Sequence, residues 1–190
     1  MKKKIPKKIT LDNLEKSAIK YLEKYSVSEF QFSNNLKRKI IKSSFFYKTD
    51  PNKHFELIKI LAEKFKKAGI INDKKFSDNK ALIYLERGYP KKKIIFNLKS
   101  KGICDEDIKN AIDNLNNSYF DCELASALIY ARKKKFFNFK EKIDDFKENK
   151  KKLLQMSQAG FPYDIAKKII NLKDEKEFFN LEEYAKFGDD

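Results

Sequence analysis

Residues able to do chemistry are few in this chain. It contains one histidine, His54, and two cysteines, Cys104 and Cys122. The cysteines show no CxxC spacing and the histidine lies far from both, so neither a zinc site nor a structural disulfide is expected. His54 has no GxSxG serine or cysteine partner nearby and reads as a first-turn helix residue. The adjacent carboxylates Asp144 and Asp145 stand in a highly charged stretch and read as solvated. Cys104 falls at a helix start, where the dipole can lower a thiol pKa, but no basic partner is identified and it reads as a semi-buried structural residue. No GxxxxGK[ST] or GxGxxG motif is present, so no Gly-rich loop is available to cradle a nucleotide. The expectation is a protein with no catalytic, cofactor-binding or metal-binding residues.

The remaining chemistry is charge. Lysine and arginine total 43 against 28 acidic residues, a formal net charge of +15. Clustered lysines gain free energy by displacing counterions from phosphates, so an anionic partner is favoured. Only Arg38, Arg87 and Arg132 are arginines, and an excess of Lys, Ile, Asn and Phe can also reflect an AT-rich genome. Placement of charge therefore counts for more than its sum. No run of 18 apolar residues occurs, and the lysines of MKKKIPKKIT lead into the polar LDNLEKS without an apolar core segment. The reading is a soluble, cytoplasmic protein with no membrane association.

Charge placement depends on the elements that carry it, and these read as helices throughout. Apolar residues recur at spacings of three and four, as in Leu14, Ala18, Tyr21, Leu22 and Tyr25, and again in Phe55, Ile58, Leu61, Ala62 and Phe65. Ser26 or Ser28 can start a second helix running to about Ile41, with SSFFYKTDPN as a loop before the third. Asn72 or Asp73 opens the next helix and Gly88 closes it; Pro90 takes the first-turn position of a further helix that ends at Gly102. The acidic start of CDEDIKNAIDNL suits a helix N-terminus, and Asp121 begins a last round. The tetrapeptide ALIY appears at 81–84 and 127–130, and LKSKGICDEDIKNAI resembles MSQAGFPYDIAKKII. These are divergent repeats whose units bury too little surface alone and must stack. The expected architecture is an all-α, elongated, curved tandem array of three three-helix repeats. A basic N-terminal arm covers 1–11, the repeats 12–71, 72–119 and 120–173, and an acidic tail, helical or loose, 174–190.

In the helix between Gly88 and Gly102 a 100° wheel gathers Ile94, Ile95 and Leu98 on the core side. Lys92, Lys93 and Lys99 fall largely opposite, with Phe96 among them. Segment 91–101 holds five lysines and no acid. An aromatic ring within a basic surface offers contact area beside long-range attraction, as a base-stacking or protein-docking site requires; Phe96 packed on a neighbouring repeat is the competing reading. Arg87 precedes this helix, and ARKKKFF at 131–137 ends the corresponding helix of the third round. The candidate surface is Arg87, Lys91, Lys92, Lys93, Phe96, Lys99, Lys101, Arg132, Lys133, Lys134 and Lys135.

The order IINDKKFSDNKALIYLERGYPKKKIIFNLKSKGICDEDIKNAI resembles the central part of RecX regulatory proteins. The matching positions are Asp73, Phe76, Arg87, Gly88, Leu98, Lys101, Gly102 and Ile103. The N-terminal SAIKYLEKYSVSEFQFSNNLKRKI is similar to that family's opening helix pair, with Leu36, Arg38 and Lys39, and LLQMSQAGFPYDIAKKII to its close. Coverage runs from about residue 12 to 172. The chain departs from the pattern at Ser77, where a small Ala is usual, and by an insertion, FNFKEKIDDFKEN, in the third round. The resemblance implies an all-helical protein that controls the RecA recombinase, lodging in the groove of its filament on single- or double-stranded DNA and limiting filament growth without chemistry of its own. A sequence-independent nucleic-acid-binding module and a helical scaffold for another protein are the competing expectations. No heptad seam demands a dimer, so a monomer is expected.

Overall fold

The computed structural model describes residues 5–137 and 146–189. Asp144 and Asp145, most of the FNFKEKIDDFKEN insertion and the first four residues of the basic arm lie outside the described residues. Among the described residues the protein is all-helical, with ten α-helices, one 3-10 turn and no strand. The chain divides into two compact units, Met1–Phe76 with Lys101–Ile103, and Ser77–Ser100 with Cys104–Asp190.

The first unit is built from α1 (Leu11–Leu22), α2 (Glu29–Tyr47), a 3-10 turn (Pro51–His54) and α3 (Glu56–Lys67). Thr10 caps α1 by accepting the Asn13 amide at 3.2 Å. Ser28 and Gln31 form a reciprocal capping box at α2. Leu14, Ala18, Phe32, Leu36, Ile40, Leu61, Ala62 and Phe65 make its core, with Tyr21, Leu22, Phe55 and Ile58 packed against it. Burial of each large apolar side chain contributes about 1.5–3 kcal/mol. Tyr25, expected on this stripe, is exposed.

Helix α2 continues through the serines expected to end it. The SSFFY segment is helical up to Tyr47, and only Lys48, left-handed at φ 54°, terminates it. Anchoring comes from the N-terminal arm. Ser43 Oγ donates to the Lys7 carbonyl at 2.8 Å and Tyr47 Oη to the Pro6 carbonyl at 2.9 Å. A serine hydroxyl with a tertiary acceptor no longer competes with its own helix backbone. His54 ends the 3-10 turn ahead of α3, half-buried.

Helix α4 (Asp73–Glu86) begins in the first unit and continues in the second, which also holds α5 (Lys91–Lys99), α6 (Asp105–Ser118), α7 (Cys122–Lys133), α8 (Phe146–Ala159), α9 (Tyr163–Ile170) and α10 (Glu175–Phe187). Asn72 caps α4 through the Lys75 amide at 2.9 Å, and Asp121 caps α7 through the Leu124 amide at 2.9 Å. Pro90 sits at the N-cap of α5, one place before the first-turn position expected of it. Alanines dominate the buried surface of α7: Ala127 and Ala131 are fully buried, and α9 and α10 pack closely on this helix. The acidic segment after residue 174 is the helix α10, seated in the core through Phe178 and Ala185.

Candidate functional site

One face of α7 fastens the turn between α4 and α5. At its N-terminal end Glu123 Oε2 accepts the Lys91 amide at 2.8 Å. One turn on, Ser126 Oγ donates to the Tyr89 carbonyl at 2.7 Å. A further turn along, a Cβ on Gly88 would stand 2.8 Å from the Tyr130 backbone nitrogen, so the two main chains nearly touch. Lys133 Nζ then donates to the Glu86 carbonyl at 2.9 Å, meeting the last turn of α4, where unpaired carbonyls favour a cation. The residues Glu123, Ser126, Tyr130 and Lys133 form one stripe of a helix, at the spacing that keeps side chains in register.

This arrangement brings Arg87 and Lys133 to one end of the stripe and the Lys91–Lys93 run to the other, about 15 Å away at 1.5 Å per residue. The tyrosines hold the turn rigid: Tyr84 and Tyr89 stack at 5.5 Å and 7°, and Lys93 Nζ lies 4.2 Å from the Tyr89 ring centre. In α5, Ile94 and Leu98 are buried as the wheel requires, Ile95 is half-buried at the margin, and Phe96 is 70% exposed. Phe96 thus lies open to solvent beside the exposed Lys92, Lys93 and Lys99.

The candidate cations are not equivalent. Among the described residues Arg87, Lys91, Lys92, Lys93, Lys134 and Lys135 form no ion pair, and the Lys134 ammonium lies 5.8 Å from the Tyr130 ring. Lys99 pairs with Asp105 at 2.8 Å, in the next helix, so its charge is partly cancelled although 91–101 contains no acid. Arg132 turns towards α10, paired with Glu182 and stacked 5.2 Å from the Phe178 ring. Lys101 belongs to the first unit, where its carbonyl accepts from Ser28 Oγ at 2.6 Å. Lys134 and Lys135 join Lys147, Lys151 and Lys152 around an open hollow of about 480 Å³ whose acid, Glu148, pairs with Lys152.

Glu123 is the group that sequence reasoning missed. As an acid in a first helical turn it looks like a dipole partner, and nothing local marks it as the cap of a helix 32 residues earlier. Burial pushes its carboxyl pKa up, opposed by the Lys91 amide bond and the Lys91 charge. Burial likewise pushes the Cys122 thiol up, which disfavours the thiolate form. Among the described residues no group of three His, Cys, Asp or Glu side chains is placed to hold a metal ion. No described helix is long and apolar enough to cross a membrane.

No protein-family model matches the chain. A curated protein, the regulatory protein RecX of Myxococcus xanthus (strain DK1622), is 28% identical over 169 residues, covering 88% of this chain and 89% of that protein. The crystal structure of RecX from Lactobacillus salivarius superposes with a TM-score of 0.57 at 18% identity, over 84% of this chain and 94% of its own. The chain is RecX-like. A second crystal structure of a RecX regulatory protein agrees, with a TM-score of 0.56 at 16% identity over 84% of this chain and 72% of its own. The RecX resemblance read from the motifs thus holds over most of the length, and the all-helical fold with it.

Proposed function

We propose that this chain is a cytoplasmic regulator of the RecX type, which binds the RecA recombinase and its filament on DNA and limits filament growth, ATP hydrolysis and strand exchange. The observation that carries the reading is the sequence match to a RecX regulatory protein along 88% of the chain. The basic set at the α4–α5 turn, with the ends of α7 and α8, supplies the surface. Arg87, Lys91, Lys92 and Lys93 form no ion pair among the described residues, Phe96 offers an open ring, and Lys133, Lys134 and Lys135 extend the field. Lys99 and Arg132, each held in an ion pair, add less to it. Such a surface attracts polyphosphate or an acidic protein groove at long range, and a regulator that occupies either can slow ATP hydrolysis without reacting with anything.

We read the chain as acting as a monomer, with no cofactor. Titrating it, below stoichiometry, into RecA, ATP and single-stranded DNA should lower the ATPase rate and strand exchange. Changing Lys91, Lys92 and Lys93 together to Glu should weaken that effect while leaving the helical circular dichroism unchanged. Absence of any effect on RecA, together with no binding to its filament, would overturn the reading. Normal activity of the triple variant alone would overturn the surface and leave the regulator.

A further inference from the structure

Helix α2 carries a second basic and aromatic face that the α4–α5 surface does not involve. Ile41 and Lys42 stand three and four residues from both Arg38 and Phe45, which puts these four on one face with Phe46 beside them, while Leu36, Ile40 and Ser43 on the other side are buried. Phe45 is 89% exposed, Phe46 51% and Ile41 45%. An almost wholly solvated phenylalanine one turn from a cation on the same helix is not required by packing, since this unit completes its core without it.

Charge around the face is of one sign. From Phe30 to Thr49 the chain holds Lys37, Arg38, Lys39, Lys42 and Lys48 and no acid. Of the acids elsewhere in the unit, Asp12 pairs with Lys16, Glu15 with Lys64, Glu29 with Lys66 and Glu56 with Lys59. Arg38 and Lys42 form no ion pair among the described residues.

We propose that the face Arg38, Ile41, Lys42, Phe45 and Phe46 is a stacking platform for single-stranded nucleic acid. Each exposed ring offers its surface to an unpaired base, and Lys42, about one turn before Phe45, and Arg38, about two turns before it, line the same face for the neighbouring phosphates. Duplex bases are already stacked on one another and have no free surface to give the ring, so the site discriminates by strandedness and not by sequence. Arg38, Ile41, Lys42, Phe45 and Phe46 include no carboxylate or amide to read base edges. The assignment stands whether or not the chain acts on RecA.

The test is fluorescence anisotropy of the full chain with labelled oligothymidylate, oligouridylate and a duplex, each of about 16 nucleotides. Phe45→Ala should weaken binding of both single strands about 5- to 100-fold and leave duplex binding unchanged. Phe45→Tyr, which keeps the ring, should bind as the native chain does. Changing Arg38 and Lys42 to Gln should lower the salt slope on single strands by about 1.4, two phosphates at about 0.7 each. The side chains are exposed, so these variants should fold. Single-strand binding untouched by Phe45→Ala would overturn the proposal, as would equal losses on duplex and single strand. So would a variant that keeps the oligonucleotides but loses anionic phosphatidylserine vesicles, which would make the face a lipid contact.

Discussion

Replacing Gly88 with alanine measures how closely the α4–α5 turn lies against α7. Gly88 has φ +75°, and the new Cβ would meet the Tyr130 nitrogen at 2.8 Å and its Cα at 2.9 Å. Both obstacles are main chain in the middle of a packed helix, so neither can swing aside. Two costs add. The left-handed backbone penalises any Cβ by about 1–2 kcal/mol, of which about 0.4–1 kcal/mol is returned by the stiffer unfolded chain. Forcing an atom into occupied space adds about 1–3 kcal/mol. Gly160 is the control within the same unit: its φ is also positive, +104°, but a Cβ there would find Pro90 Cγ at an ordinary 3.5 Å. Gly160→Ala should therefore show the backbone cost alone, and Gly88→Ala should exceed it by about 1–3 kcal/mol. Urea titrations followed by circular dichroism give both values from the same transition. Equal losses, within about 0.5 kcal/mol, would refute the close approach and with it the rigid seating of the basic turn.

Two further outcomes follow from residues on either side of α7. Glu123 has a folded-state pKa raised by burial, so between the ordinary carboxylate range and that raised value the native state binds more protons than the unfolded chain, and stability falls as pH rises through the window. Glu123→Gln, which still offers an oxygen to the Lys91 amide, should remove this slope; urea midpoints at several pH values would show it, and an unchanged slope would exonerate Glu123. Phe178, 5% exposed, should cost about 3–5 kcal/mol when changed to Ala, whereas the neighbouring Phe179, 53% exposed, should cost no more than about 0.5 kcal/mol in the same thermal melts.

What the sequence made legible were features with local causes. Asn72, Gly88, Pro90 and Asp121 mark helix ends because caps and left-handed turns depend on neighbouring residues alone, and each acts within a residue of its expected place. The wheel placed Ile94 and Leu98 inside and Phe96 outside, but set Ile95 too deep, because it lies at the margin where the packing partner decides. The end of α2 was misread since Ser43 looks like a helix breaker until its acceptor, the Lys7 carbonyl 36 residues away, is known. Pairing of Lys99 with Asp105 crosses a helix boundary, and Arg132 finds Glu182 50 residues on. Contacts of that separation leave no periodic trace in a sequence, so the surviving charges could be named only as a set.

The cap that Glu123 places on α5 has a consequence for the order of synthesis. With nine residues and no side-chain cap of its own, α5 is too short to persist alone. Its first amide waits for a carboxylate encoded 32 residues downstream, an interval of roughly 2–6 s on a ribosome. During that interval the lysine run lacks the carboxylate that caps its helix, although α6, against which α5 packs, is already made. A fragment that stops before Asp121 should retain this charge without the cap, and would be a poor stand-in for the whole chain in any binding measurement.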